Sequence, residues 1–169
     1  EVVLIGDSIT HFWAGRESVG EAADSTPHWN AAFGKLRVLN MGFGWDRTQN
    51  VLWRLDHGEM DGLSPRLVVI HIGTNNIGGS GNARANSPAE IAEAIREICQ
   101  RVHSKSPRSA VALMGIFPRG EKPTDFWRGQ AAAANEILKT FPATLPYVTY
   151  LDIGPRLVQG LCHLAKDVC

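Results

Sequence analysis

A serine stands at the point where the first apolar run of the sequence ends. Val2–Ile5 is followed by Gly6, Asp7 and Ser8, so the serine lies between a predicted strand and a predicted helix. A serine hydroxyl attacks an acyl carbon efficiently only when a base removes its proton and fixed donors stabilise the resulting oxyanion. Ser8 is therefore a candidate nucleophile, and the alternative is that it only caps the following helix.

Two further strand ends carry groups that could donate hydrogen bonds to such an oxyanion. The second apolar run ends in a turn that contains Gly44 and Trp45, and the third is followed by Asn75. The candidate donors are the Ser8 N–H, a backbone N–H of Gly44 or Trp45, and the side-chain amide of Asn75. Each motif alone has a plain explanation as turn or cap chemistry, but all three together favour a nucleophilic site.

Short apolar runs rich in β-branched residues alternate with helical patterns along the chain. Such runs predict strands buried on both faces, and their alternation with helices predicts a parallel sheet covered by helices on both sides. Ligands of such sheets bind at the carboxyl ends of the strands, where the three motifs fall. The predicted strands are Val2–Ile5, Val38–Asn40, Leu67–Ile72, Ala110–Met114 and Val148–Leu151.

Apolar periodicity predicts three helices between these strands. The clearest runs from Ser87 to His103 and begins with a capping-box pattern, in which Ser87 is the N-cap and Glu90 its partner. The others run from about Asp46 to Leu55 and from roughly Thr124 to Phe141. Their predicted apolar faces are formed by Ile91, Ile95, Ile98 and Val102, by Val51, Leu52 and Leu55, and by Ala131, Ala134, Ile137, Leu138 and Phe141.

Composition and motif searches disfavour several other classes of protein. Lys plus Arg and Asp plus Glu both number 17, and this neutral balance argues against a nucleic-acid-binding protein. No apolar run approaches the roughly 20 residues of a membrane span. The chain has no complete dinucleotide or phosphate-binding glycine loop, and Thr10 breaks the nucleophile-elbow pattern of α/β-hydrolases. Zinc-binding patterns are also absent, and no feature of the sequence identifies a compartment.

Three blocks of the sequence resemble the GDSL or SGNH hydrolases, which are serine esterases and lipases. The blocks are Gly6–Ile9, Asn40–Asp46 and Gly73–Asn76. Two more segments, Asn50–Glu59 and Phe117–Pro123, are similar to the branch that contains the catalytic subunits of platelet-activating-factor acetylhydrolase and their bacterial relatives. These two segments have no general structural reason to recur.

The resemblance implies a flavodoxin-like, three-layer α/β/α sandwich with about five parallel strands, forming a single domain over residues 1–169. It implies Ser8 as the nucleophile and Asn75 as the side-chain oxyanion donor. The backbone donor of the family is a glycine N–H, and the register places Trp45 at that position beside Gly44. A backbone donor survives this substitution, and we expect the indole to lie beside the acyl pocket and favour small acyl groups.

The implied reaction is hydrolysis of small-acyl carboxylic esters, acetyl esters above all, through an acyl-Ser8 intermediate and with no metal or cofactor. The alcohol half of the ester stays open between phospholipid, acetylated sugar and xylan. The same branch makes a homodimer an open expectation. A non-catalytic ligand-binding module of the same fold is the alternative function.

The acid and base of the catalytic triad belong to the family's last block, Asp-x-x-His. In one alignment of the tail His163 is the base and Gly160 replaces the acid, so that the base lacks its carboxylate. In the other alignment, which needs no deletion and which we favour, the block would follow Cys169. We therefore expect a chain truncated at both ends, weakly active or inactive, and marginally stable because one apolar flank of the sheet is exposed.

The remaining titratable residues near these motifs are poor substitutes for that base. His71 is predicted to pack within the sheet, and His11 to point away from the site. Asp7 is predicted to support the turn through a local hydrogen bond. The glycine-rich loop 78–86, which follows the third strand, is interpreted either as a flexible connection or as a substrate-contacting loop.

Overall fold

A computed structural model describes residues 1–14 and 26–158 of the chain. Within these residues five strands form one sheet, all parallel, in the order β2-β1-β3-β4-β5. The near-continuous apolar sequences of β1 and β3 are typical of parallel strands covered by helices on both faces of the sheet. The strands are β1 (Val2–Gly6), β2 (Val38–Gly42), β3 (Leu67–His71), β4 (Ala110–Met114) and β5 (Val148–Leu151).

Helices lie on both sides of this sheet, as the strand–helix alternation predicts. Helices α3, α5 and α6 pack against one side, where their apolar residues join the main core, while α1 packs over β1 and β2. The predicted parallel α/β architecture is confirmed. The helices are α1 (Ser8–His11), α2 (Thr26–Phe33), α3 (Thr48–Asp56), α4 (Thr74–Ile77), α5 (Pro88–Lys105) and α6 (Phe126–Leu138).

Side-chain alternation along the strands divides the sheet into two different faces. Val68 and Ile70 of β3 have no exposed surface and point into the core beneath α3, α5 and α6. Val69, between them, points to the opposite side and is only half-buried. Leu151 of β5 is 46% exposed. The second side is therefore less tightly packed than the first at these two positions.

The predicted capping box of α5 is confirmed in atomic detail. The Ser87 hydroxyl accepts a hydrogen bond from the Glu90 N–H at 3.3 Å, and the Glu90 carboxylate accepts one from the Ser87 N–H at 2.8 Å. Two donors at the start of the helix are satisfied in this way. The four residues predicted to form its apolar face, Ile91, Ile95, Ile98 and Val102, are completely buried.

Several predicted boundaries and one core residue need correction. Helix α3 begins at Thr48 instead of Asp46, because the N-cap residue Arg47 has an extended backbone. The Arg47 N–H donates a hydrogen bond to the Asn50 side-chain oxygen at 3.0 Å. Helix α6 spans Phe126–Leu138, which is shorter than predicted at both ends, and a 3-10 turn follows at Phe141–Ala143. Ile137 is 36% exposed instead of buried, since it lies beside the stripe through Ala131, Ala134 and Leu138.

Candidate active site at the carboxyl end of the sheet

The register of the central strands brings the three predicted motifs to one edge of the sheet. Gly6 at the end of β1 lies opposite both Gly42 of β2 and His71 of β3. Ser8 is then the first residue of α1, and Asn75 lies in α4. The loops that leave these three strands therefore start side by side.

Hydrogen bonds join the three loops directly. The Phe43 N–H donates to the Gly6 carbonyl at 3.0 Å, and the Gly44 N–H donates to His11 Nδ1 at 3.1 Å. The Asn75 Nδ2 group donates to the Asp46 carbonyl at 2.9 Å. The second loop is thus fixed to the first on one side and to the third on the other.

Two glycines allow the loops to come this close. A Cβ atom on Gly42 would lie 2.4 Å from the His11 backbone nitrogen, so a side chain there would push α1 off the end of β2. Gly73 has a φ of +122° and precedes α4, and its Cβ would lie 2.9 Å from Ile116 Cδ1. Larger residues at these positions would move Ser8 or Asn75.

The ring of His11 lies against the second loop. Besides accepting the Gly44 N–H, it stacks on Phe12 at 5.1 Å between ring centroids and lies 6.3 Å from the Phe43 ring. Helix α1 is only four residues long and crosses the end of β2, so its last residue faces the loop that follows β2. His11 thus links the first two loops.

An apolar cavity of about 520 Å³ adjoins Ser8, whose side chain is half-buried. Its walls come from the second face of the sheet and from the residues around α1. They include Leu4, Val69, Met114, Phe12, Trp13, Phe117 and Ile153. The cavity could hold a hydrocarbon group attached to an acyl carbon at Ser8.

His71 lies in the wall of this cavity and is 6% exposed, with its ring 4.0 Å from that of Phe117. Burial disfavours the charged imidazolium and lowers the pKa of His71 to about 4. The predicted packing in the sheet is confirmed. The ring is a neutral wall of the cavity at neutral pH, and no Asp or Glu is among the described residues that line the cavity with it.

A second, polar groove of about 640 Å³ adjoins the predicted oxyanion donors. Gly44, Trp45 and Asn75 lie in its wall, whereas none of them lines the apolar cavity. The other lining groups are mostly polar and include Gln49, Asn50, Asn82 and Arg119. The loops therefore separate an apolar space beside Ser8 from a polar one beside Asn75.

The two backbone candidates in the second loop differ in their partners. The Gly44 N–H is used by His11, whereas the Trp45 N–H donates to no group in the described part of the chain. The Asn75 amide keeps one N–H after its bond to Asp46. The geometry thus favours Trp45 over Gly44 as the backbone donor.

The side chain of Trp45 does not lie where the sequence led us to expect. Its φ is +66°, a left-handed conformation that is rare for a residue with a Cβ atom. This conformation directs the indole outward, so that the residue is 86% exposed and lines the polar groove. The indole therefore does not narrow the apolar cavity beside Ser8.

Asp7 supports the turn before Ser8, as predicted. One carboxylate oxygen accepts the Ile9 N–H at 3.0 Å, which caps α1, while the other is buried without a hydrogen-bond partner. Burial raises the pKa of Asp7 to about 6; the bond from Ile9 opposes this effect and the charge of Asp46 adds to it. Asp7 is fully buried, and neither of its carboxylate oxygens is hydrogen-bonded to a described histidine.

An arginine that sequence reasoning did not single out holds the second loop in place. Arg54 of α3 forms an ion pair with Asp46 at 2.7 Å and a second with Glu59 at 3.1 Å. It also donates to the Met41 carbonyl at 3.4 Å and lies 4.3 Å from the centre of the Phe43 ring. The recurrence of Asn50–Glu59 in the resemblance now has a structural reason, because this segment supports the loop that carries Trp45.

The third loop is held by a buried asparagine next to Asn75. Asn76 accepts the Thr48 N–H at 3.0 Å and donates to the Thr48 hydroxyl at 2.9 Å and to Asn86 at 3.0 Å. Arg47 fixes the loop 78–86 from its other side by donating to the carbonyl of Gly78 at 3.0 Å. These bonds argue against a loosely attached connection, and part of the loop lines the polar groove.

His163 lies outside the described residues, as do the other residues of the tail beyond position 158. The base of the predicted triad therefore stays a prediction. Among the described residues, no cluster of three or more His, Cys, Asp or Glu side chains is arranged to hold a metal ion.

A model of the GDSL-like lipase/acylhydrolase family matches residues 4–166. The chain belongs to this family.

Two relatives are similar over most of the chain. Rat platelet-activating factor acetylhydrolase IB subunit alpha2 is 33% identical over 167 residues, which cover 96% of the chain and 65% of the relative. The human alpha1 subunit is 34% identical over 160 residues, with 95% and 62% coverage. The chain thus spans slightly less than two thirds of these relatives.

Solved structures show the same fold at low sequence identity. An alpha/beta hydrolase enzyme from the metagenome of Lake Arreo aligns with a TM-score of 0.73 at 20% identity, covering 96% of the chain and 80% of that protein. An acetylxylan esterase from Geobacillus stearothermophilus, solved as a catalytic mutant, aligns with a TM-score of 0.67 at 18% identity, covering 89% and 74%. In the described part of this family member, no helix is long and apolar enough to cross a membrane.

Proposed function

We propose that this family member hydrolyses carboxylic esters through an acyl intermediate on Ser8. The observation that carries the proposal is the junction of three loops at one sheet edge, with Ser8 in the first and unused N–H groups of Trp45 and Asn75 in the other two. Family membership and the names of the acetylhydrolase relatives support the same reaction class.

In the proposed reaction the Ser8 Oγ attacks the ester carbonyl carbon while its proton passes to a base. The carbonyl oxygen becomes an oxyanion, which accepts hydrogen bonds from the Trp45 N–H and the Asn75 side chain. The tetrahedral species collapses to acyl-Ser8, and the alcohol leaves with the proton from the base. Water then attacks the acyl group, which returns the Ser8 hydroxyl and releases the carboxylic acid.

The described residues that line the cavity with Ser8 include no carboxylate that could orient a histidine as the base of this scheme. His163 is the only imidazole that the sequence offers near the family's last block, and it lacks the usual acid partner in that alignment. His71 and Ser8 line one cavity, but the low pKa of His71 makes its ring a poor proton acceptor near neutral pH. We therefore propose that the chain itself is at most weakly active.

Ester turnover by matched serine variants tests the proposal. With p-nitrophenyl acetate, we expect an acetyl adduct on Ser8 by mass spectrometry. Ser8→Ala should abolish the adduct and any hydrolysis that passes through it; since the effects of triad residues are not additive, the loss in rate should be no larger than the activity that the base still supports. Ser64→Ala, at an exposed serine, is the control and should behave like the wild type. Unchanged hydrolysis in Ser8→Ala would refute the proposal, and a wild-type rate typical of intact serine esterases would refute the weak activity.

We also propose small acyl groups, acetyl above all, as the preferred acyl half. The names of the acetylhydrolase relatives support this preference, but the apolar cavity has room for longer chains. A series of p-nitrophenyl esters from acetate to octanoate distinguishes a preference for short acyl groups from a preference for long ones. We expect kcat/KM to fall along the series, and an equal or higher value for octanoate would show that the cavity accepts long acyl chains.

A non-catalytic binding module is the second candidate. It is favoured by one observation, namely that the described residues around Ser8 include no carboxylate–imidazole pair. For this function we expect neither an acetyl adduct nor hydrolysis in the wild type, together with saturable binding of an ester analogue. An adduct on Ser8 would exclude it.

A further inference from the structure

The polar groove is lined by the predicted oxyanion donors Trp45 and Asn75. Asn50, Asn82 and Arg119 line the same groove. An ester whose acyl chain lies in the apolar cavity would direct its alcohol half into this groove. This assignment rests on the ester hydrolysis proposed at Ser8.

Trp45 is the unusual feature of the groove. A left-handed backbone is unfavourable for a residue with a Cβ atom, and most of the indole lies in solvent. In the described part of the chain the indole forms no ring contact that would offset this cost. An exposed aromatic ring held at some cost beside the reacting group indicates a role in binding.

The hydrogen-bonding groups around this ring are mostly neutral. The Nδ2 amides of Asn50 and Asn82 donate no hydrogen bond among the described residues, although the oxygens of both side chains are used. Asn75 keeps a carbonyl oxygen that accepts from none of them. These groups can donate to and accept from the hydroxyls of a ligand.

Two arginines, Arg47 and Arg119, line the groove, but only one of them has N–H groups available for a ligand. The guanidinium of Arg47 is occupied by the carbonyls of Gly78 and Arg84 and by the Asn86 side chain. Arg119 donates one bond to the Thr74 carbonyl at 3.1 Å and lies 5.1 Å from the Trp127 ring centre, which fixes its position. One guanidinium among several amides favours a neutral polyhydroxyl ligand over a phosphate.

We propose that the groove binds the sugar of an O-acylated carbohydrate, with one apolar face of the sugar ring stacked on the Trp45 indole. The ring hydroxyls then bind the amides of Asn50 and Asn82 and the free N–H groups of Arg119. Aromatic rings combined with a few fixed polar groups are a common way to orient ligands in such sites. The substrate class is therefore a partly acetylated oligosaccharide.

Binding of neutral oligosaccharides, measured by NMR titration, tests the sugar site without requiring turnover. The probes are xylotetraose, cellotetraose and chitotetraose, and sn-glycero-3-phosphocholine represents a phospholipid-derived alcohol. We expect at least one oligosaccharide to bind, with its affinity reduced 10-fold or more in Trp45→Ala and within 3-fold of wild type in Trp45→Phe. Trp53→Ala removes another exposed indole, on α3, and should leave the affinity within 2-fold.

Trp45→Gly separates binding from a merely structural role. Glycine accepts a positive φ without strain, so this variant should unfold at higher temperature than the wild type. It should nevertheless lose at least 10-fold in oligosaccharide affinity. A structural role would move stability and affinity in the same direction.

Three outcomes would overturn the sugar site. They are no binding of any oligosaccharide, equal binding by Trp45→Ala and wild type, and binding of glycerophosphocholine alone. In each case an acetyl adduct on Ser8 would still support ester hydrolysis. Conversely, unchanged hydrolysis in Ser8→Ala would refute the hydrolysis at Ser8 whatever the sugar titrations show.

Discussion

The two sides of the sheet differ in what fills them. On the side of α3, α5 and α6 the strands contribute fully buried residues such as Val68 and Ile70. On the other side, Val69 and Met114 are half-buried and line the cavity beside Ser8. The first side supplies most of the apolar stabilisation, and the second contains the cavity that we propose for the acyl chain.

Ionisable groups also divide between these two sides. Arg54, Asp46 and Glu59 form a partly buried cluster next to the packed side and hold the loop that carries Trp45. The cavity side contains His71, which is neutral and packs against Phe117. Charge therefore supports the loop on one side of the sheet, whereas the space proposed for the acyl chain has an apolar wall.

Arg54→Met should have the largest effect on stability. It leaves Asp46 and Glu59 without their partner, and breaking a buried ion pair in this way typically costs about 3–5 kcal/mol. Burial already raises the pKa of both carboxyl groups, and Arg54 opposes that effect. We therefore expect the free energy of unfolding at pH 7, measured in urea, to fall by about that amount.

Arg101→Met is the matched control for this prediction. Arg101 also contacts two carboxylates, Asp56 and Glu97, but all three side chains are substantially exposed. Surface pairs contribute about 0–1 kcal/mol, so this variant should lose less than 1 kcal/mol. Equal losses in the two variants would show that the cluster near the site is no more important than a surface pair.

The pH dependence of stability should have opposite signs for Asp7 and His71. The folded-state pKa of Asp7 is raised to about 6, so its contribution to stability is present below its unfolded pKa and is lost as pH rises through about 6. The folded-state pKa of His71 is lowered to about 4, so its contribution is present above its unfolded pKa and is lost as pH falls through about 4. Each change amounts to about 3 kcal/mol.

Two variants read out these opposing slopes in urea denaturation between pH 4 and pH 7. Relative to wild type, Asp7→Asn should become more stable as pH rises, while His71→Phe should become more stable as pH falls. The wild type itself should change little over this range from these two groups, because their effects oppose each other. Parallel curves for wild type and either variant would contradict the burial assigned to that residue.

The parts of the site that the sequence predicted are those that follow from strand ends. The residue types at Ser8, Gly44 and Asn75 are unusual after an apolar run, and a parallel sheet places such positions at one edge. The capping box at Ser87 was equally predictable, because its signal lies within four residues. Local patterns combined with one rule of topology thus predicted the sheet and the meeting of the three loops at its edge.

The parts that escaped prediction depend on contacts with no regular spacing. Arg54 contacts Asp46, Glu59 and Met41. The distances along the sequence between Arg54 and these residues follow no helix or strand period, so the network could not be predicted from periodicity. The outward indole of Trp45 depends on a positive φ, which the sequence does not indicate for a tryptophan. The only available signal for Arg54 was the recurrence of the segment around it in one branch of the family.

Val68 and Val69 allow the most direct comparison of the two sides, because they are identical residues at adjacent positions of β3. The expected difference in stability between their alanine variants is the smallest of those considered. Val68→Ala removes fully buried methyl groups from the core and should cost about 2 kcal/mol. Val69→Ala removes the same groups from a half-buried cavity wall and should cost less than 1 kcal/mol. Both values come from urea denaturation at pH 7. Equal costs would mean that the cavity side is as tightly packed as the core, which would leave no space beside Ser8 for an acyl chain.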